Sequence, residues 1–138
     1  MRSKFCVATV LSLSVAGLSA GELPPEVQAK FIRIIASSAG SAGKVNCKDA
    51  AVVAQLVKLG VAVDGGSKVA WAGSEAEVKA LKASGHLVIC GNEHWLPGGA
   101  SVAVVEEGGK PQIYLHMGNI GDSGVTLSDA VLKIGRKK

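Results

Sequence analysis

The first candidates for chemistry are two of the three cysteines, Cys47 and Cys90, each at the end of a predicted parallel strand; the third, Cys6, lies within the first twenty residues. If the first and third strands are neighbours, as in the common 2-1-3 order, both sulfurs lie at one edge of the sheet. They then form either a disulfide, which needs Cα atoms within about 7 Å, or two buried thiols that pack as small hydrophobes. The absence of a Cys-x-x-Cys motif argues against a thioredoxin-type catalyst.

A second group of metal-binding residue types comprises Cys90, His94, His116 and Met117. Thiolate, imidazole and thioether ligands suit copper or zinc. A metal site needs several convergent ligands, however, and adjacent strand residues such as His116 and Met117 point to opposite faces. We therefore predict neither a metal site nor a cofactor.

The remaining patterns exclude several enzyme classes. Gly60–Gly66 lacks the order of a dinucleotide-binding or P-loop motif, and the chain has no Gly-x-Ser-x-Gly elbow. Glu106 and Glu107 are adjacent in a predicted turn, where they face water instead of converging on a cleft. The sequence therefore predicts a protein that is not an enzyme.

Aromatic and imidazole side chains are the candidates for contact with a partner. Trp95 follows a predicted strand and stands beside His94, so it either anchors a partner or closes the edge of the core. Our candidate interaction residues are His94, Trp95, Tyr114 and His116.

The first twenty residues have the pattern of a secretory signal peptide. Arg2 and Lys4 precede the uncharged stretch Phe5–Leu18, and cleavage is expected after Ala20; an uncleaved membrane anchor is the alternative. The sequence has 138 residues, 48% hydrophobic and 19% charged, which fits one folded domain. We predict a signal peptide at 1–20 and a single domain at 21–138.

The charge of the chain argues against a nucleic-acid partner. Its net charge of +4 comes from 15 basic and 11 acidic residues. Residues 1–20 hold two of the basic residues, so the remainder has 13 basic and 11 acidic residues and a net charge of +2. Three of these positive charges form the tail Arg136–Lys138, which indicates a solvated end and not a phosphate-binding surface.

The segment from residue 44 to residue 90 alternates strand and helix patterns. Strand, helix, strand, helix and strand at this spacing are typical of parallel βαβ units. The apolar third strand suits a central position covered on both faces. The predicted strands are Lys44–Cys47, Lys68–Ala72 and His86–Cys90, with helices that begin after Asp49 and Ser74.

The flanking segments add helices and a hairpin, so the fold class is α/β. We predict a small three-layer sandwich with a mostly parallel sheet, an antiparallel C-terminal hairpin and flanking helices. The first helix opens at Pro24-Pro25, because proline suits the first helical turn. The later segments are strand Ala100–Val105, loop Glu106–Pro111, strand Gln112–Met117, irregular Gly118–Gly124 and helix Ser128–Ile134.

Several short strings in the mature chain match a known family pattern. They are Glu26–Ile35 in the first helix, His86–Cys90 in the third strand, and Gly98–Ala100, Val104–Glu106, Ile113–His116 and Gly124–Ile134 near the end. With this order of elements the chain resembles the YfiR/HmsC-like family of small periplasmic proteins. It departs from the family pattern at Tyr114 and His116, where the family prefers Glu and Asn, and at Gly85, where the family has cysteine.

The resemblance implies a periplasmic regulatory protein without catalytic residues. Such proteins bind the outward-facing domain of a membrane sensor, a diguanylate cyclase, and keep cyclic-di-GMP signalling and biofilm output low; the redox state of the envelope is a proposed input. The implied partner is thus a membrane sensor protein, and a homodimer is also open. Two alternatives remain: a small-ligand module at the carboxyl edge of the sheet near Cys47, Trp71 and Gly91-Asn92, and a thiol or metal redox protein built on Cys90 and His94.

Overall fold

The computed structural model describes residues 21–40 and 43–138. The predicted signal peptide at residues 1–20 lies outside these residues. Within the described part of the chain, no helix is both long and apolar enough to cross a membrane.

Helices and short strands alternate along the chain. In chain order they are β1 (Gly21–Glu22), α1 (Pro25–Ser38), β2 (Lys44–Val45), α2 (Ala50–Lys58), β3 (Ala62–Val63), β4 (Val69–Ala72), α3 (Glu75–Ala83), β5 (Leu87–Cys90), a 3₁₀ helix (Glu93–Trp95), β6 (Val102–Glu107), β7 (Lys110–Leu115), α4 (Met117–Ser123), α5 (Asp129–Ile134) and β8 (Arg136–Lys137).

The main sheet has the order β4-β5-β6-β7-β8, and β1 pairs with β6. A parallel bridge between Asn46 and Ala70 places the β2-β3 pair beside β4. β4, β5 and β6 run parallel, whereas β6 and β7 form an antiparallel hairpin. The predicted α/β fold, with a mostly parallel sheet and a C-terminal hairpin, is confirmed.

Helices cover both faces of the sheet. Side chains alternate along each strand, so Trp71 and Ile89 join one hydrophobic core while Ala72 and Cys90 join the other. The first core also contains buried residues of α1, α2 and α5; the second contains Val78 of α3 and the region of the 3₁₀ helix. This arrangement is the predicted three-layer sandwich.

Local capping signals determine where the crossover helices begin. The Asp49 carboxylate accepts hydrogen bonds from the backbone N–H groups of Ala51 and Val52 at the start of α2. At α3, the Ser74 hydroxyl accepts from the N–H of Glu77, and the Glu77 carboxylate accepts from the N–H of Gly73. Both helices begin where the sequence predicts.

The predicted 2-1-3 order of the first three strands is wrong. β3 pairs with β2 on the side away from β4, so β4 lies between β2 and β5. Residues two strands apart are separated by about 10 Å. Cys47 and Cys90 are therefore not on adjacent strands, and they pack in the two different cores.

The C-terminal hairpin is tighter than predicted. Its strands run to Glu107 and from Lys110, and only Gly108 and Gly109 form the turn. Both glycines have positive φ, 62° and 81°, as a two-residue type I′ turn requires. The strands consequently extend into residues predicted to be a loop.

The segment predicted to be irregular, Gly118–Gly124, is mostly helical. α4 spans Met117–Ser123 and ends at Gly124, whose φ is 73°. The segment contains glycine and asparagine, which have poor helix propensity, so the sequence gives little sign of this helix. Tertiary contacts stabilise it instead, because Asn119 and Ile120 are buried.

Candidate interaction site

Cys47 and Cys90 are free thiols, which corrects the disulfide candidate. Cys90 donates from Sγ to the Asn92 carbonyl oxygen at 3.2 Å. Burial raises the pKa of the Cys47 thiol to about 11 and the pKa of the Cys90 thiol to about 12. Both groups are therefore protonated at neutral pH, which makes them poor nucleophiles and poor metal ligands.

Reaction with a thiol reagent tests whether Cys47 and Cys90 are buried, free thiols. At about pH 7.5 we expect Cys47 and Cys90 to react far more slowly with a thiol reagent in the native protein than in the denatured protein. A Cys6→Ser chain confines the measurement to these two sites. Fewer than two reactive thiols after denaturation without reductant would contradict the free-thiol structure.

A cavity of about 400 Å³ brings two predicted interaction residues together. We call it the histidine cavity. It lies between the 3₁₀ helix, the end of β7 and the residue that follows β8. Its lining residues are Glu93, His94, Leu96, Pro97, His116 and Lys138.

His116 is held at the junction of β7 and α4. Its backbone N–H donates to the carbonyl oxygen of Ser101, and its ring Nδ1 accepts from the N–H of Asn119 at 3.1 Å. His116 thereby caps α4. Because Nδ1 is the acceptor, the neutral ring carries its proton on Nε2.

His94 and Glu93 form the opposite side of the histidine cavity. The Asn92 side-chain oxygen accepts from the N–H of His94 at 2.9 Å and caps the 3₁₀ helix. The Glu93 carboxylate pairs with the Lys138 ammonium at 3.2 Å. This ion pair links the tail of the chain to the rim of the cavity.

Tyr114 and Trp95, unlike the two histidines, do not line the histidine cavity. The Tyr114 side chain is buried, its hydroxyl donates to the Glu107 carboxylate at 2.6 Å, and this bond raises the pKa of Tyr114. The Lys138 ammonium lies 4.5 Å from the Tyr114 ring centroid, a cation–π contact. Trp95 is half-buried against the second core, which agrees with its core-closing interpretation.

Two residues of the site carried no functional signal in the sequence. Lys138 belongs to a basic triplet that indicates a solvated tail, yet its backbone N–H donates to the Leu115 carbonyl oxygen at 2.7 Å. Asn119 is buried, and its side-chain amide donates to the carbonyl oxygens of Leu96 and Ala100. Asn119 thus fixes the wall of the histidine cavity to α4.

The histidine cavity does not assemble a metal site. Among residues 21–40 and 43–138, no three or more His, Cys, Asp or Glu side chains are arranged to hold a metal ion. Cys90 packs in the second core, whereas His94 and His116 line the cavity.

The carboxyl edge predicted as a small-ligand site has little open space. A Cβ atom placed on Gly91 would lie 2.9 Å from Gln28 Nε2 and 3.4 Å from the Trp71 ring. Gln28, Trp71 and Cys47 are buried. Protein atoms therefore fill the space at Gly91. The cavity beside Trp71, lined also by Asn46 and Lys48, is only about 90 Å³, and a larger cavity of about 480 Å³ lies at the amino edge, beside Lys44 and Lys68.

The Trp71 side chain is buried in the first core. Its Nε1 is buried and has no hydrogen-bond partner among the described residues. Trp71→Phe therefore removes no hydrogen bond, and we expect it to lower the free energy of unfolding by only about 1 kcal/mol. Trp71→Ala should cost about 3–5 kcal/mol through cavity formation. Urea unfolding compares the two, and equal losses would indicate an unrecognised bond to Nε1.

No model of a known protein family matches the chain, and no curated protein matches it at a significant level. A proposal about function therefore draws on the chemistry of the site and on the resemblance in short sequence strings.

Proposed function

We propose that this protein is a non-enzymatic binding protein of the cell envelope that contacts a protein partner through the histidine cavity. The partner class that we propose is the extracytoplasmic domain of a membrane sensor, as the resemblance to YfiR/HmsC-like proteins implies. The observation that carries the proposal is the convergence of His94 and His116 on one cavity.

The composition of the histidine cavity supports contact with a protein. Leu96 and Pro97 provide apolar surface, and His94, His116 and the Glu93–Lys138 pair surround it with polar groups. An apolar centre with a polar rim is the usual arrangement of a protein–protein interface.

The chemistry of the reactive groups also favours binding over catalysis. The Nδ1 atom of His116 is occupied by the capping bond to α4, so the neutral ring offers a donor and not a base. Both thiols in the described residues are buried and protonated. These observations disfavour the alternative of a thiol redox protein built on Cys90 and His94.

Site-specific photo-crosslinking in the cells that produce the protein tests the proposal. A photoreactive amino acid replaces His94 in one variant and Val57 in the control. Val57 is 63% exposed on α2, the helix that packs on the other face of the sheet. We expect one membrane protein to be crosslinked from position 94 and not from position 57. Identical products from both positions, or none from position 94, would reject the proposed function.

A further inference from the structure

We propose that the histidine cavity binds a carboxylate, carried by an aspartate or glutamate side chain of the partner. This inference rests on the proposed function and adds the chemical class of the group that is recognised. It follows from three features of the cavity: its hydrogen-bond donors, the pairing of its acidic groups, and its size.

The histidine cavity is rich in hydrogen-bond donors. With Nδ1 engaged by Asn119, the neutral His116 ring presents an Nε2–H donor. The Lys138 ammonium has three N–H bonds. It pairs with Glu93 through a single contact at 3.2 Å and lies over the Tyr114 ring, which leaves one N–H bond for a ligand. A ligand that complements these groups must supply acceptor atoms.

Each acidic residue near the histidine cavity has a basic partner, and a bound carboxylate shares Lys138 with Glu93. Glu93 pairs with Lys138, and Asp122, on α4, pairs with Lys82 at 2.7 Å. On the side of Tyr114, Glu107 pairs with Arg136 at 3.2 Å. A negatively charged ligand therefore meets no unpaired carboxylate among these groups, and a charged acceptor makes stronger hydrogen bonds than a neutral one.

The size of the histidine cavity suits a side chain together with part of the segment that carries it. Its volume of about 400 Å³ falls in the range of ordinary binding pockets. Leu96 and Pro97 offer apolar surface to the methylene groups and backbone around a carboxylate. A lone inorganic anion would leave this apolar surface uncovered.

The test uses two blocked amino acids as probes. N-acetyl-aspartate N-methylamide supplies a carboxylate, and N-acetyl-asparagine N-methylamide supplies a neutral amide of the same shape. Each is titrated into the full chain at constant pH and ionic strength while the histidine ring resonances are followed by NMR. The chain has three histidines, and His86, whose ring Nδ1 contacts the Leu81 carbonyl oxygen away from the cavity, is an internal control.

We expect saturable shifts at His94 and His116 with the aspartate probe only. Lys138→Met should weaken this binding about tenfold, the scale of a charged hydrogen bond, whereas Lys133→Met on α5 should leave it unchanged. Equal shifts with both probes, or shifts of His86 of the same size, would overturn carboxylate recognition. No shift at all would also overturn it, and crosslinking of a partner from position 94 would then leave the proposed function standing.

Discussion

Asn119→Leu is expected to lower the free energy of unfolding by about 3 kcal/mol. The Asn119 side-chain amide donates to the carbonyl oxygens of Leu96 and Ala100 at 2.8 and 2.9 Å. Leucine has a similar volume but no donor, so both carbonyl groups lose this partner. Each unsatisfied buried group costs about 1–3 kcal/mol. Urea unfolding followed by circular dichroism measures the loss.

The control for Asn119→Leu is Gln112→Leu. The side-chain amide of Gln112 donates only to the neighbouring carbonyl oxygen of Ile113, and the residue is half-buried. We expect a loss below about 1 kcal/mol there, in keeping with a partly solvated bond. If the two substitutions cost the same, Asn119 does not fix the wall of the histidine cavity as described.

Gly135→Ala is expected to displace β8 and lower the free energy of unfolding by about 1–3 kcal/mol. A Cβ atom at Gly135 would lie 2.6 Å from Leu115 Cγ and 2.7 Å from Leu115 Cδ1. Leu115 is fully buried, so it cannot rotate into solvent to make room. The strand must therefore move away from β7, and Lys138 leaves the histidine cavity with it.

Hydrogen exchange reports this displacement of β8. The Lys138 N–H, which donates to Leu115, should exchange faster in Gly135→Ala than in the unaltered protein. Gly121→Ala is the control, because a Cβ there meets no atom within 4 Å and alanine favours the helix by up to about 1 kcal/mol. Unchanged exchange at Lys138 in Gly135→Ala would contradict the packing of the tail.

Local sequence signals predicted the elements better than their arrangement. Asp49 and Ser74 fixed the starts of α2 and α3, because a cap depends only on residues within one turn. The order of the strands depends on which partners meet across the sheet. β3 has only two residues, both exposed, so no apolar pattern showed that it would pair with β2.

The sequence predicted the histidines of the candidate site but not the groups that surround them. His94 and His116 were recognisable by residue type. The position of Lys138 depends on the pairing of β8 with β7, and a two-residue strand of Arg136 and Lys137 has no strand periodicity. Asn119 lies in a glycine-containing segment whose helix is set by tertiary contacts, so its buried position had no local signal.

Hydrogen–deuterium exchange of the protein, with and without the membrane protein crosslinked from position 94, tests whether the histidine cavity is the contact surface. If the histidine cavity is the contact, the partner should slow exchange in residues 93–101 and 114–119, with no change in α2 around Val57. Slower exchange confined to α1 and α2, or exchange unaffected by the partner, would contradict contact through the histidine cavity.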